Sequence, residues 1–257
     1  MSLVLRNVGK HFGGLRAVHE VSLDVPEGSI FGLIGPNGAG KTTLFNLITG
    51  VYRCDTGTIA FAGTDLTRMK PAQIAACGVA RTFQNIRLFG QLTVLENLLV
   101  AGEAADARTR SGVWTALVHT ERARDAEAAT RERAGELLRV FDLHESALAE
   151  PTSLSYGNQR RLEIARAMML APNLLLLDEP AAGMNYGEAE GLQTQLRWLR
   201  ETFKLTVVLV EHNMQVVMGA SDAIHVLDRG ETLARGTPAE IRRDPKVLGA
   251  YLGEEQA

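Results

Sequence analysis

The sequence has few of the residues that mark several large classes of protein. Its 257 residues include two cysteines, Cys54 and Cys77, which lack the close spacing of a metal-binding cluster. We therefore expect reduced thiols, as in a cytoplasmic protein, rather than a disulfide framework or a zinc site. The net charge is −3 at pH 7. No overall basic field therefore points to nucleic acid as a partner.

Long hydrophobic runs are also lacking. The most apolar stretch, 168–177, is interrupted by Pro172 and Asn173. It is about half of the roughly 20 residues needed to cross a bilayer. The first residues, MSLVLRNVGKHFGG, lack the apolar centre of a secretory signal, so we expect none there. Any membrane role is expected to act through a partner.

Short apolar runs bounded by turn residues are what the sequence does contain. LVLRNV, AVHEVSLDV, SIFGLI and TGTIAFAG predict strands near the start. NLLLLDEP and LTVVLVEH are continuously apolar, as in strands buried on both faces of a parallel sheet, with a helical stretch at 188–203 between them. Residues 121–139 have the composition of an exposed helix. The prediction is an α/β fold with a helical insertion, a hairpin near Asp228–Gly230 and a final short helix capped by Thr237.

A glycine-rich loop follows one predicted strand and precedes a helix. Residues 35–43, GPNGAGKTT, fit the pattern G-x-x-x-x-G-K-[ST]. The glycines let backbone N–H groups face phosphate oxygens, Lys41 supplies positive charge for the β- and γ-phosphates, and the Thr42 hydroxyl can bind Mg²⁺. The alternative is a glycine-rich turn with a chance lysine. The predicted nucleotide-binding residues are Gly35, Pro36, Asn37, Gly38, Ala39, Gly40, Lys41, Thr42 and Thr43.

Two carboxylates end the apolar run LLLLDEP. Ligands of an open α/β sheet bind at the carboxyl ends of its strands. Asp178 is therefore a predicted Mg²⁺ ligand, and Glu179 a predicted general base for an attacking water. The alternative is a solvated turn after the strand. His212 closes the next apolar run, where it could donate to a γ-phosphate or bond only a backbone carbonyl.

Three further positions each allow two interpretations. Gln84, in RTFQ, is predicted to end a strand and could reach a metal or water, although a lone glutamine is more often structural. Phe12, in KHFGG, is either an exposed aromatic that stacks on adenine or a core residue of a short strand. LSYGNQ, 154–159, leads into a helix, where a hydroxyl and a glycine form an anion site. Ser155 is otherwise an ordinary helix N-cap.

Taken in order, these motifs resemble those of ATP-binding cassette (ABC) ATPases over essentially the whole chain. The matching segments are GPNGAGKTT, RTFQ, LSYGNQRR, LLLLDEP and the strand-end His212. RTFQNIRLF, LTVLENLLVA, RRLEIARAM, LDEPAAGMN and GTPAEIRRDPKVLGAYLGEE resemble the ATPase subunits of branched-chain amino acid importers. Tyr156 and Asn158 stand where the most common cassette pattern has glycine and glutamine. AAGMN, 181–185, replaces the usual Ser-Ala-Leu-Asp, and both variants suit the importer subgroup.

The resemblance implies a P-loop ABC-type nucleotide-binding domain over 1–257. Its parts would be a core with a mixed sheet and an antiparallel β subdomain (1–93 and 166–236), a helical subdomain with the signature loop (94–165) and a tail (237–257). It implies ATP and Mg²⁺ as cofactors. Phe12 would stack on adenine, and the metal would be bound by Thr42, Gln84 and Asp178. The implied catalytic residues are Lys41, Gln84, Glu179 and His212. The γ-phosphate of a second cassette would be contacted by Ser155, Gly157 and Asn158.

The resemblance also implies partners and a place in the cell. The partners would be a second ABC ATPase, either this chain or a paralogue, transmembrane permease subunits and, indirectly, a solute-binding protein. They would meet at the cytoplasmic face of the plasma membrane, and nucleic acid is not expected. Residues 85–90, NIRLFG, are candidates to receive a membrane subunit, or they pack into the helical subdomain.

The expected function is ATP-driven uptake of branched-chain amino acids or related small solutes. Alternatives are the ATPase of a lipopolysaccharide-export complex, an ABC ATPase outside transport, and a binding module without catalysis. Intact Lys41, Asp178, Glu179 and His212 argue against the last.

Overall fold

The computed structural model describes the backbone of residues 2–109 and 121–252. By its internal contacts the chain divides into two compact units. The first comprises Met1–Arg81 with Asn173–Ala257, and the second Thr82–Pro172. The helical subdomain predicted at 94–165 was defined by its role rather than by contacts. This division does not test its bounds, which remain a prediction. The last residues of the predicted tail, 253–257, lie outside the described residues.

An antiparallel sheet is built in the first unit from the early strands. Its strands are β1 (Leu3–Phe12), β2 (Leu15–Val25), β4 (Thr56–Phe61) and β5 (Thr64–Asp65), in the order β2-β1-β4-β5. Leu3 and Leu5 of β1 are fully buried, and so are Val21 and Val25 of β2. Alternate side chains of a strand point to the same face, so this pattern places one face of the sheet on the core.

A six-stranded mixed sheet forms the centre of the same unit. Its strands are β3 (Ile30–Ile34), β6 (Val79–Arg81), β7 (Leu174–Asp178), β8 (Thr206–Val210), β9 (Ala223–Asp228) and β10 (Glu231–Gly236), in the order β10-β9-β3-β8-β7-β6. β10 runs antiparallel to β9, and the other pairs are parallel. Every residue of β3, β7 and β8 is buried, as the continuous apolar runs predicted. The predicted α/β fold with a mixed sheet and an antiparallel β subdomain is confirmed.

Helices supply the apolar cores on the two faces of the mixed sheet. In the first unit they are α1 (Lys41–Ile48), α2 (Pro71–Ala76), α6 (Tyr186–Phe203), α7 (Met214–Ala220), α8 (Pro238–Ile241) and α9 (Pro245–Leu252). Phe31 of β3 packs in one cluster with Phe45 of α1, whereas Ile34 packs in another with Val217 of α7. Among the described residues, no helix combines the length and the apolar character required for a membrane span.

Side-chain caps fix where several helices begin. The Thr237 hydroxyl accepts a hydrogen bond from the Glu240 N–H, and the Glu240 carboxylate accepts one from the Thr237 N–H. This capping box confirms the predicted cap of α8. Asn185 and Glu188 form the same capping box at the start of α6. The unusual Asn185 therefore has a local structural role, because its side chain satisfies a backbone donor of the first helical turn.

The second unit is helical. It contains α3 (Val94–Thr109), α4 (Glu121–Val140) and α5 (Tyr156–Met168), and the predicted exposed helix at 121–139 is confirmed by α4. Leu98, Leu138, Phe141 and Leu162 are buried and give these helices a common core. Asn97, also fully buried, holds Phe89 by accepting from its N–H at 2.9 Å and donating to its carbonyl at 3.1 Å.

Candidate active site

The topology brings three chain segments to one edge of the mixed sheet. In the parallel register Val210 of β8 lies beside Leu33 of β3 on one side and beside Asp178 of β7 on the other. The glycine-rich loop follows β3 directly, Asp178 ends β7 with Glu179 after it, and His212 comes two residues after β8. The predicted core of the site therefore comes together at the carboxyl ends of neighbouring strands.

The glycine-rich loop has a conformation that its glycines make possible. Gly35, Gly38 and Gly40 have positive φ angles of 152°, 75° and 98°. A Cβ on Gly35 would lie 2.0 Å from the Leu227 carbonyl oxygen, which no side chain tolerates. The loop is anchored from outside by the Gly230 N–H, which donates to the Ala39 carbonyl at 3.0 Å. The geometry therefore holds a tight turn at the N-terminus of α1, where backbone N–H groups favour anions.

Lys41 is held inside this turn. Its side chain is buried, and Nζ donates to the carbonyl oxygens of Gly35 at 2.6 Å and Pro36 at 2.8 Å. A phosphate oxygen is a charged acceptor and binds an ammonium more strongly than a neutral carbonyl does. Thr42 follows at the second helical position and is exposed. The loop thus presents a cation and a hydroxyl at the start of α1, as the sequence predicted.

Asp178 is buried at the end of β7 and paired with an arginine that the sequence analysis missed. Arg81 Nη2 lies 2.8 Å from Asp178 Oδ2, and Nη1 donates to Asn46 Oδ1 at 2.6 Å. The guanidinium group thereby fixes the carboxylate relative to α1, which carries Asn46. Arg81 is the first residue of the motif RTFQ and the last residue of β6, but nothing near it in the sequence points to a carboxylate 97 positions away. A carboxylate and the Thr42 hydroxyl are oxygen ligands of the kind that Mg²⁺ prefers, so the residues fit the metal.

Glu179 adopts a backbone conformation that is unusual for its residue type. Its φ is +50°, and its N–H donates to the Val210 carbonyl at 2.8 Å. Non-glycine residues in this left-handed region often mark functional sites. Its carboxylate oxygen Oε1 lies 3.1 Å from Nε2 of His212, an exposed side chain. The structure therefore brings together the two residues that the sequence predicted as base and γ-phosphate sensor.

Glu211, directly before His212, is a second residue that the sequence analysis missed. It is 3% exposed and accepts backbone hydrogen bonds from Ala181 at 2.6 Å, His212 at 3.2 Å and Asn213 at 3.3 Å. Burial raises its pKa, and the charge of Glu179 raises it further, while the backbone bonds act in the opposite direction. The carboxylate ties the segment after Glu179 to the segment of His212. The signal was an acidic residue directly after the buried strand β8, comparable with Asp178 at the end of β7.

Phe12 is an exposed aromatic, so the interpretation that it packs in the core is wrong. It is 41% exposed, and its ring meets that of Tyr52 edge-on at 5.2 Å between centroids. Lys10 Nζ lies 5.5 Å from the centroid of the same ring. Edge-to-face pairing holds an aromatic ring in place while leaving a face for a further partner. Stacking of adenine on Phe12 remains a prediction. Tyr52, whose ring contacts that of Phe12, belongs to the same exposed aromatic pair.

The remaining predicted residues lie in the second unit. Ser155 is exposed and is the N-cap of α5, where its Oγ accepts from the Asn158 N–H at 3.3 Å. Gly157 is buried in the first turn of the helix. Gln84 is exposed and lies three residues beyond the end of β6, so the predicted strand is shorter than expected. Similarly, β8 ends at Val210, two residues before His212.

The chain is similar to characterised proteins over nearly its whole length. A family model described as "ABC transporter" matches residues 18–182, and one described as "Branched-chain amino acid ATP-binding cassette transporter" matches residues 231–257. The high-affinity branched-chain amino acid transport ATP-binding protein LivG of Salmonella typhimurium is 46% identical over 252 residues, 98% of each chain. The corresponding protein BraF of Pseudomonas aeruginosa is 46% identical over 243 residues, 95% of this chain and 94% of that one.

Solved structures show the same likeness. The ADP conformation of an ATP-binding cassette of an ABC transporter has a TM-score of 0.84 and 32% identity, covering 98% of this chain and 99% of that one. A dimeric cassette in a post-hydrolysis state, bound to ADP and phosphate, has a TM-score of 0.76 and 26% identity, covering 92% of this chain and 98% of that one.

Proposed function

Because this chain belongs to the ABC transporter family, we propose that it is the ATP-hydrolysing subunit of an importer for branched-chain amino acids or related small solutes. The observation that carries the proposal is 46% identity, over nearly the whole chain, to two ATP-binding proteins named for branched-chain amino acid transport. The match of residues 231–257 to a family model of the same description supports import rather than lipopolysaccharide export.

The chain is an ATPase, and its first unit supplies the groups that hydrolysis needs. Lys41 and the backbone N–H groups of the loop bind the phosphates. Water attack forms a bond to the γ-phosphorus and breaks the bond to the β,γ-bridging oxygen, so one proton of the water must be taken up. Glu179 would accept that proton, while His212, 3.1 Å away, would hold the carboxylate in position and donate to the γ-phosphate. Thr42 and Asp178 of this unit would hold Mg²⁺, which neutralises charge on the phosphates. Gln84, a residue of the second unit, stays a predicted metal ligand.

The signature loop would serve a nucleotide bound by another chain. Ser155 is exposed at the N-terminus of a 13-residue helix, so the helix dipole adds positive potential at this point. Its Oγ already accepts from the Asn158 N–H, which leaves the hydroxyl proton for donation to an anion. The Gly157 N–H and Asn158 complete the proposed γ-phosphate contacts. Dimeric cassettes among the similar structures support a second cassette as the partner of this chain.

The second unit also offers a surface for membrane subunits. Phe89 is 50% exposed although its backbone is fixed by Asn97, and the Arg166 guanidinium carbon lies 5.5 Å from its ring centroid. An apolar side chain held outward on a fixed backbone is suited to receive a short helix of a partner. We place the chain at the cytoplasmic face of the plasma membrane, bound to permease subunits and through them to a solute-binding protein. Ile86 and Leu88 are half-buried, which leaves both earlier interpretations of 85–90 open.

A cis–trans comparison in the assembled complex tests the sharing of nucleotide between two ATPase subunits. With Ser155→Arg in one subunit and Glu179→Gln, or the corresponding change, in its mate, one site keeps an intact base and an intact signature loop. Such a complex should retain about half of the wild-type ATPase rate, since one of two symmetric sites survives. With both substitutions in a single subunit, both sites lose one group and the rate should be near zero. The reverse ranking would contradict sharing.

A further inference from the structure

Arg160 is a fully buried charged side chain that the proposed mechanism does not use. It lies near the start of α5, is 1% exposed, and is the largest of the fully buried side chains in the described part of the chain. A buried charge is costly unless it is paired and hydrogen-bonded. Arg160 satisfies this condition through Nη1, which donates to the Phe83 carbonyl at 2.7 Å and to Glu163 Oε2 at 3.0 Å.

The other guanidinium nitrogen extends the contact to Gln84 itself. Nη2 donates to the Gln84 carbonyl and, at 3.0 Å, to the Tyr156 hydroxyl. Glu163, also buried, accepts from the Phe83 N–H at 3.2 Å. Two side chains of α5, Arg160 and Glu163, therefore hold the backbone of Phe83 and Gln84, and Tyr156 supports Arg160. All of these residues belong to the second unit.

We propose that Arg160, supported by Glu163 and Tyr156, is a positioning residue that locks the backbone of Gln84 to the helix capped by Ser155. Gln84 and Ser155, which are proposed to face two different nucleotides, would then move as one body. The inference rests on those proposed roles. It also gives Tyr156 a function, because the glycine of the common cassette pattern has no side chain to accept a hydrogen bond from Arg160.

The hydrogen bonds of Arg160 to the backbone of Phe83 and Gln84 should affect the rate of hydrolysis. Arg160 is not placed at the phosphates, so its loss should leave the affinity of the glycine-rich loop for ATP unchanged. The positions of Gln84 and Ser155 in the closed complex should become less well defined. A displacement of about 1 Å in such a group costs up to roughly 100-fold in rate. We therefore expect Arg160→Met to lower kcat by about tenfold to a hundredfold without raising the dissociation constant for ATP.

The control variants separate positioning from folding. Arg160→Met alone leaves Glu163 as a buried, unpaired carboxylate, and this can unfold the protein by itself. Arg160→Met combined with Glu163→Gln removes both charges while keeping an acceptor for the Phe83 N–H. We expect this double variant to regain thermal stability but not kcat. Arg139→Met removes an exposed arginine of α4 in the same unit and should change neither quantity.

The measurements are ATPase kinetics of the complete complex, ATP affinity by calorimetry and thermal unfolding. Recovery of kcat together with stability in the double variant would show that Arg160 only balances a charge, and would overturn the inference. Tyr156→Phe, which removes a single hydroxyl, supplies a variant that keeps the fold. It should lower kcat at unchanged ATP affinity, and a wild-type kcat would also overturn the inference. Lack of ATPase activity in the wild-type complex would instead refute the proposed function.

Discussion

Replacing Glu211 by glutamine should leave buried backbone N–H groups without acceptors. Oε1 accepts from Ala181, whereas Oε2 accepts from His212 and Asn213. An amide has one carbonyl oxygen, so one side must then face an NH₂ group, which can only donate. Each buried N–H that loses its acceptor costs about 1–3 kcal/mol. Because one or two of them lose it, the free energy of unfolding should fall by about 1–6 kcal/mol.

The same substitution should slow hydrolysis. His212 loses either its own backbone bond or the tie to the segment after Glu179, and the 3.1 Å contact between the His212 ring and the Glu179 carboxylate depends on both segments. We expect kcat to fall by about tenfold or more, in line with the sensitivity of rate to small displacements. The affinity for ATP should not change, because the glycine-rich loop is untouched. Urea unfolding at neutral pH, ATPase kinetics and calorimetry measure the three quantities.

Glu201→Gln is the matched control. Glu201 is exposed on α6 and pairs with Arg200 at 3.1 Å, so its loss should change stability by no more than about 0.5 kcal/mol. Wild-type stability and kcat in Glu211→Gln would mean that the native carboxyl is protonated and that the amide replaces it faithfully. That result would refute the assignment of Glu211 as an ionised acceptor of three N–H groups.

Three further predictions concern adenine, the glycine-rich loop and pH. Phe12→Ala should weaken ATP binding about fivefold to a hundredfold, from the roughly 1–3 kcal/mol of base stacking, but not binding of inorganic triphosphate, as measured by calorimetry. Gly35→Ala should abolish ATP binding, since the new Cβ would lie 2.0 Å from the Leu227 carbonyl oxygen. At Gly38 a Cβ meets no described atom within 4 Å, so Gly38→Ala should cost only the strain of its positive φ, about 1–2 kcal/mol of unfolding free energy by thermal unfolding. Burial lowers the pKa of His225 from 6.5 to about 4, so in that range the unfolded chain binds a proton that the folded chain does not. Stability is full above pH 6.5 and should fall by about 3 kcal/mol toward pH 4, and His225→Gln should remove this part of the fall in urea titrations.

The fold was predictable because its central strands are apolar on both faces. The runs ending in Asp178 and before His212 could be assigned to a parallel sheet without any tertiary information. The cap at Thr237 was equally local, since it depends on a residue three positions away. The ends of β6 and β8 were less predictable. β6 ends at Arg81, beside Leu176, although β7 continues to Asp178, and β8 ends at Val210, beside the last residue of β7. These ends depend on pairing between strands that are distant in sequence.

The residues of the candidate site likewise fall into those that the sequence identifies and those that only the structure reveals. The glycine-rich loop, Asp178 and Glu179 carry their chemistry within a few consecutive residues, so the sequence identifies them. Arg81 and Arg160 matter through the carboxylates and carbonyls that they reach across the fold, Asp178 being 97 positions from Arg81. Such contacts leave no local pattern. Phe12 illustrates a middle case, because its residue type was informative and its exposure could be decided only by the structure.

The most direct test of the central claim is a structure of the assembled complex with Glu179→Gln subunits and bound ATP and Mg²⁺. The account predicts two nucleotides at the interface of the two ATPase subunits. Each would be bound by the glycine-rich loop of one subunit, and Ser155 of this chain would lie within hydrogen-bonding distance of the γ-phosphate held by its mate. A closed, ATP-loaded complex in which Ser155 contacts no phosphate would contradict it.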